Sequence, residues 1–199
     1  MSVRSIVTIS ATGRPDNFTS KALAVVNDEL TKRGVAPTVF DARELTLAFP
    51  GQPPTDDAKR LQDALRGATA VVIATPEYHG SFAAMAKLII ENMGFPSALT
   101  EKPTALVGVA AGRIGAIKSL EQLRGVCAHV GAIVLPGAVS IAGVNRAFDA
   151  EGNCTDEGVE QALRGVAGSL LEFVENYVCP KYVLEAKVRE EGGPWTSTV

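Results

Sequence analysis

Short runs of β-branched and aliphatic residues alternate along this chain with longer stretches in which apolar residues recur every three or four positions. The runs are Ser5-Ile6-Val7-Thr8-Ile9, Thr38-Val39-Phe40, Ala70 to Ala74, Ala105 to Ala110 and Ile133-Val134-Leu135. Continuous apolarity bounded by turn formers marks strands buried on both faces. The periodic stretches predict helices. One runs from about Phe18 to Arg33, with Leu23, Val26 and Leu30 on one face and Gly34 as its stop. A second starts at Thr55-Asp56-Asp57, where a hydroxyl cap and two acids suit the positive end of the helix dipole, and reaches about Arg66. A third, capped by Ser81, spans about Phe82 to Asn92 and is closed by Gly94 and Pro96; a fourth spans about Ala116 to Val130; a last one starts at Thr155-Asp156-Glu157 and reaches about Tyr177. Residues 180–199 read as a polar tail with Gly192, Gly193, Pro194 and Trp195. Strands alternating with helices imply an α/β fold, a parallel sheet with right-handed crossovers and helices on both faces. For five strands the 2-1-3-4-5 order is expected, with its switch point between the first and third strands. No internal repeat or linker interrupts residues 1–199, so a single domain is expected.

Net charge is −3 with no basic cluster, which argues against nucleic acid as the main partner. No long apolar span is present, and Met-Ser-Val-Arg leads straight into the first strand, so the expectation is a cytoplasmic protein without a membrane partner. Cys127, Cys154 and Cys179 are odd in number and widely spaced, which fits neither a disulfide framework nor a metal knuckle; they read as small apolar fillers, with Cys154 exposed in a loop.

The chemistry gathers where the strands end. After the third run come Thr75-Pro76-Glu77-Tyr78-His79-Gly80-Ser81, polar residues directly beyond the carboxyl end of a buried strand, where open α/β sheets bind ligands. Pro76 and Gly80 let a flat ligand approach the backbone, and Tyr78 can stack on it or cover it. His79 reads first as a solvent-facing loop residue and second as a proton relay. Glu77 reads equally as a helix-end contact or ion pair and as a ligand contact. After the first strand, Thr12-Gly13-Arg14-Pro15-Asp16-Asn17-Phe18-Thr19-Ser20 opens a helix, and free N–H groups at a helix start bind phosphate. Thr12, Asn17, Thr19 and Ser20 add hydrogen-bonding side chains and Arg14 a permanent charge; an ordinary hydrophilic turn is the alternative. Neither G-x-x-x-x-G-K-[ST] nor G-x-G-x-x-G occurs.

These loops resemble the NADPH-dependent FMN reductases of flavodoxin-like fold, a family that includes quinone, azo-dye and chromate reductases. Pro76-Glu77-Tyr78-His79-Gly80-Ser81 matches that family's second loop in full. In the first loop Arg14 matches, while Thr12, Asn17 and Thr19 stand for Ser, Ser and Asn. Ala110-Ala111-Gly112-Arg113-Ile114-Gly115 and the following Ser119 to Arg124 are similar to the third loop and its helix. The resemblance runs from about Val3 to Val139. It implies a three-layer flavodoxin-like sandwich and non-covalent FMN. The phosphate would lie at Thr12, Arg14, Asn17 and Thr19, and the ring against Pro76, Glu77, Tyr78, His79 and Gly80 and against Ala111, Gly112 and Arg113. It also implies hydride transfer from NAD(P)H, NADPH being expected, and then reduction of a small-molecule acceptor (quinone, flavin, azo compound or metal oxyanion) in a ping-pong cycle. The cofactor carries the reaction, so no catalytic side chain is expected. Lys87 matches a family lysine but reads as a surface cation, and Arg113 reads equally as a surface residue. A homodimer or homotetramer is implied, with the apolar segment 82–95 either crossing the interface or packing in the core.

Other functions are open to comparison. A flavodoxin-like electron carrier binds FMN without oxidising NAD(P)H; Thr12-Gly13 is similar to the carriers' Thr-Gly loop, but a charge of −3 is weak for a carrier. A response-regulator receiver needs carboxylates where Ser10 and Thr75 stand, and an α/β hydrolase needs a G-x-S-x-G elbow, which is absent.

Overall fold

The computed structural model describes residues 4–190. Its sheet is built on five positions in the order β2-β1-β3-β5-β6, which is the expected 2-1-3-4-5 path once the extra short strands are counted. The strands are β1 (Ile6–Ser10), β2 (Thr38–Asp41), β3 (Ala70–Tyr78), β4 (Ser81–Phe82), β5 (Pro103–Val109), β6 (Ile133–Val134) and β7 (Val139–Ile141). The helices are α1 (Phe18–Lys32), α2 (Asp56–Gly67), α3 (Ala84–Glu91), α4 (Ile117–His129), α5 (Glu157–Phe173) and α6 (Cys179–Glu190).

Alternation along each strand divides the core into two halves. From β3, Ala70, Val72 and Ala74 pack with Leu23, Val26 and Leu30 of α1 and Leu163, Ala167 and Leu170 of α5. Val71 and Ile73 point the other way, against Leu61 and Leu65 of α2, Ile89 of α3 and Leu120 and Leu123 of α4. Burial on both faces is why these strands carry no polar alternation.

Four expectations need correction. The third strand does not end at Ala74. It continues through Pro76, which lies opposite Val109 in the parallel register. Proline already has an extended-compatible φ, and its missing donor falls at the end of the ladder, where the loss is small. Ser81 does not cap a helix: it belongs to β4, its hydroxyl donates to Gln122 Oε1 at 2.7 Å, and α3 starts at Ala84 without a side-chain cap. The fifth strand is split. Pro136 and Gly137, the latter at φ +76°, interrupt it, and β6 and β7 both pair with β5. The stretch from Pro180 to Glu190 is helical rather than a loose tail. It continues α5 through a π turn at Val174–Val178 and buries none of its residues. Gly192, Gly193, Pro194 and Trp195 lie outside the described residues.

Candidate functional site

The carboxyl ends of β1, β3, β5 and β7 converge on one edge of the sheet and leave a cleft of about 440 Å³ between their loops, within the range of roughly 300–1,000 Å³ of small-molecule sites. Its first wall is the segment leading into α1. Asn17 is the N-cap: its Oδ1 accepts from Ser20 N–H at 2.7 Å, and its Nδ2 donates to Arg14 O at 2.9 Å, which closes the loop on itself. Asp16 takes a left-handed φ of +44° within that closed turn. With Ser20 N–H taken, the N–H groups of Phe18 and Thr19 stand at the start of α1 with no intrahelical acceptor, on the wall of the cleft. Phe18 is braced behind by the Phe148 ring, 6.1 Å away, and by Lys21 Nζ, 5.3 Å from its centroid.

The second wall is a two-residue hairpin. Tyr78 pairs with Ser81 and Glu77 with Phe82 in antiparallel register. His79 and Gly80 form the tip at φ +52° and +76°. Positive φ at both tip residues is the signature of a type I′ turn, whose twist matches that of the flanking strands. The hairpin is fastened to α4. Ala116, the N-cap of α4, offers no side-chain cap, and Glu77 Oε2 supplies one by accepting from Ser119 N–H at 3.1 Å. Gln122 Nε2 donates to Gly80 O at 2.9 Å while its Oε1 accepts from Ser81. Glu77 therefore makes the helix-end contact, with its carboxylate on the positive end of the α4 dipole.

The third wall is Val109 to Ala111, small residues at the end of β5, held by Ala110 N–H on Ile141 O at 2.9 Å and Val144 N–H on Ala110 O at 3.0 Å. Gly115 (φ +78°) lets the chain turn into α4. A Cβ there would meet Ser140 Oγ at 2.6 Å, and that hydroxyl accepts from Ala116 N–H.

Of the residues singled out from the sequence, Arg14, Asn17, Thr19, Pro76, Glu77, Tyr78 and Ala111 line the cleft together. Thr12 is buried behind the first wall; its Oγ1 accepts from Arg14 N–H at 3.3 Å and lies 3.4 Å from the Tyr78 hydroxyl, which ties the first two walls together. His79 and Gly80 form the hairpin tip, and Gly112 and Arg113 stand exposed beyond the third wall, so none of these four lines the cleft. Lys87 is exposed on α3 and pairs with Glu91 one turn on. Of the apolar segment 82–95, Ile89 and Met93 are core residues, and Phe95 is fully exposed. Sequence reading missed Asp16 and Phe18, which sit inside the quoted loop. It also missed Val144 and Asn145, which come from a helical turn after β7 that no local pattern announced.

Beneath the first wall, Ser10 Oγ and Ser20 Oγ lie 2.8 Å apart and Ser20 donates to Asp41 at 3.4 Å. Burial raises the Asp41 pKa, but hydrogen bonds from the Arg43 side chain and N–H outweigh it and hold the carboxyl below its usual range. Asp41 thus stays charged and fixes the end of β2 beside the cleft. Among the described residues no cluster of His, Cys, Asp or Glu could hold a metal ion, and no helix is long and apolar enough to cross a membrane.

The model of the family described as NADPH-dependent FMN reductase matches residues 4–146. An NADH:(hydroxy)cinnamate reductase subunit of Vibrio ruber is 34% identical over 119 residues, covering 58% of this chain and 59% of that protein. An NAD(P)H-dependent FMN reductase of Pseudomonas aeruginosa is 31% identical over 117 residues, covering 57% of this chain and 62% of that protein. The chain thus spans about six tenths of the length of these curated relatives. Among solved structures, the flavoenzyme NAD(P)H:(acceptor) oxidoreductase FerB of Paracoccus denitrificans has the same fold, with a TM-score of 0.72 at 23% identity over 87% of this chain and 98% of that one.

Proposed function

This chain belongs to the NADPH-dependent FMN reductase family, and from that premise we propose that it is an FMN-dependent oxidoreductase taking hydride from NAD(P)H and passing reducing equivalents to a small-molecule acceptor. The observation that carries the reading is the cleft itself, where the open start of α1 faces the 76–81 hairpin across a floor of small residues. Bound there, FMN supplies two-electron chemistry between a hydride donor and an acceptor.

The residues at the cleft fit such a group. Arg14 and the Phe18 and Thr19 N–H groups would hold its phosphate, because a helix start and a guanidinium both favour an anion. Asn17 and Thr19 complete that end, and Thr12 positions Arg14 through its N–H. The ring would lie against Pro76, Glu77 and Tyr78 with Ala111 opposite, and His79, Gly80, Gly112 and Arg113, which stand outside the cleft, would border it at the rim. Fastened to α4 by Glu77 and Gln122, the hairpin is held in place before any ligand binds, which would lower the ordering cost of binding. NADPH as the donor is supported by the family's own description. Three free cysteines support a reducing, cytoplasmic compartment. A homodimer or homotetramer is supported by α6, a helix that buries none of its residues and leaves the consecutive Tyr182, Val183 and Leu184 exposed.

The test is to add FMN to the purified protein, record the visible spectrum, and then add NADPH without oxygen. A perturbed flavin spectrum that bleaches on NADPH, followed by steady NADPH consumption with a quinone, is the expected result. No flavin binding would overturn the reading. Flavin that binds but stays oxidised would mark an electron carrier instead.

A further inference from the structure

The cations of this chain are unevenly committed. Of the 19 lysines and arginines, 11 hold a carboxylate. Three more, Lys21, Lys102 and Arg124, donate to main-chain carbonyls. The side chains of the remaining five, Arg14, Arg113, Lys118, Arg146 and Lys187, make no ion pair or hydrogen bond among the described residues. Lys187 lies on α6, whose Lys181 reaches Glu101 at the amino edge of the sheet. The other four surround the cleft at the carboxyl edge. Arg14 lines it, Arg146 directly follows the lining residue Asn145, and Arg113 follows Ala111 by two positions. The Lys118 stem lies over the hairpin tip, its Cδ 3.7 Å from the place a Cβ on Gly80 would occupy. Two carboxylates line the cleft, and of these Glu77 is already turned onto the α4 N-terminus. A chain of net charge −3 therefore presents a positive mouth.

The same rim is also apolar. Ile114 is 74% exposed and Ile117 48%, at the turn that starts α4 beside the hairpin carrying Tyr78, itself 39% exposed. Single exposed apolar residues mean nothing, but three on adjoining elements at the mouth of a cleft form a surface for a flat apolar body. Charge and apolarity on one rim select a ligand with both.

Building on the reductase reading above, we propose that the acceptor is a planar aromatic anion, a quinone carrying a carboxylate or sulfonate, with its ring against Ile114, Ile117 and Tyr78 and its charge among Arg113, Lys118 and Arg146. Arg14 is left to the phosphate. The net reaction balances: NAD(P)H gives up a hydride, and the quinone gains those two electrons with one proton from the donor and one from solvent, leaving hydroquinone and NAD(P)⁺. Because the oxidised donor departs before the acceptor arrives, the rim is free when the acceptor binds.

The experiment uses the FMN-loaded protein with two acceptors that share a ring, neutral 2-methyl-1,4-naphthoquinone and 1,4-naphthoquinone-2-sulfonate. In an alternating cycle kcat/KM for the acceptor excludes the donor half-reaction, so salt effects on NADPH binding drop out. Expected is a fall of about 3- to 10-fold in kcat/KM for the sulfonate between about 20 and 200 mM salt, with little change for the neutral quinone. Lys118→Gln should lower the sulfonate-to-neutral ratio by about 2- to 5-fold, and Lys118→Arg should restore it. Binding of naphthalene-2-sulfonate, which accepts no electrons, should follow the same salt and Lys118 dependence. Equal salt slopes for the two quinones, or a ratio indifferent to Lys118→Gln, would overturn the proposal while leaving the reductase reading intact. If neither quinone is reduced, the reductase reading falls, and with it the acceptor.

Discussion

Gly108 gives the most exacting test of how the sheet holds this cleft. It lies near the end of β5, paired with Thr75 of β3 on one side and Ser140 of β7 on the other, so its backbone cannot step sideways. A Cβ at this position would sit 2.7 Å from Ala116 Cβ, 2.8 Å from Leu120 Cγ and 3.0 Å from Leu120 Cδ1. Comfortable carbon contacts are about 3.5–4.0 Å, so Gly108→Ala overlaps its neighbours by roughly 0.5 to 1 Å. Leu120 can swing Cδ1 aside by rotating its side chain. The Ala116 methyl has no other rotamer, so the start of α4 must move outward. Overpacking of this kind costs about 1–3 kcal/mol, and for a chain of this size each kcal/mol lowers the melting temperature by about 2–4 °C. The expected fall is therefore roughly 2–12 °C by circular dichroism. FMN affinity should weaken with it, because the moving turn carries Ser119 N–H on Glu77 and Ala116 N–H on Ser140. Gly125→Ala, on the exposed side of the same helix with nothing within 4 Å of its Cβ, is the control and should gain about 0.5–1 kcal/mol. A Gly108→Ala protein that melts within about 1 °C of the parent and binds FMN equally well would refute the claim that α4 is seated directly on β5.

Three further outcomes are expected. Arg14→Ala should raise the FMN dissociation constant about 10- to 100-fold, the worth of a charge-assisted hydrogen bond; an unchanged constant in a fluorescence titration would show that the phosphate lies elsewhere. The carboxyls of Asp28, hydrogen-bonded by Lys32 and Arg164, and of Glu29, hydrogen-bonded by Arg33 and Arg164 against a burial effect that raises it, are held below their ordinary values of 3.8 and 4.5, as is Asp41. Groups with depressed folded pKa values stabilise the fold above their unfolded values and lose that contribution as pH falls through the folded ones. Melting temperature should thus drop below about pH 4, while between about pH 5 and 8 these groups contribute in full and give it no pH dependence; a decline already complete at about pH 5 would contradict this. Burial pushes the Cys127 thiol up to about 12, so a thiol reagent on the native protein should leave it unmodified until denaturant is added, and rapid labelling of Cys127 without denaturant would mean that the α4 face of the core opens readily.

Much of this protein is decided locally. Val71, Val72 and Ile73 must be covered on both faces, and Leu23, Val26 and Leu30 must turn inward together, so the alternation of buried strand and amphipathic helix, and with it the doubly wound sheet, follows from residue spacing alone. The Pro76 to Ser81 run marked one wall of the cleft because its residues are consecutive. What the chain could not announce were pairings between distant segments. Ser81 reads as a helix cap until Gln122, 41 residues away, takes its hydroxyl. Pro76 reads as a strand end until Val109 lies opposite it. Glu77 stood between two roles until Ser119 N–H, also distant in sequence, claimed its carboxylate. Val144 and Asn145 join the cleft only because β7 resumes beside β5 after Pro136-Gly137 has broken the edge. Spacing constrains which way a side chain faces, since burial acts on each element separately. Hydrogen-bond partners and the cations left without one are properties of the assembled molecule, because they depend on which donors and acceptors the tertiary fold has already used.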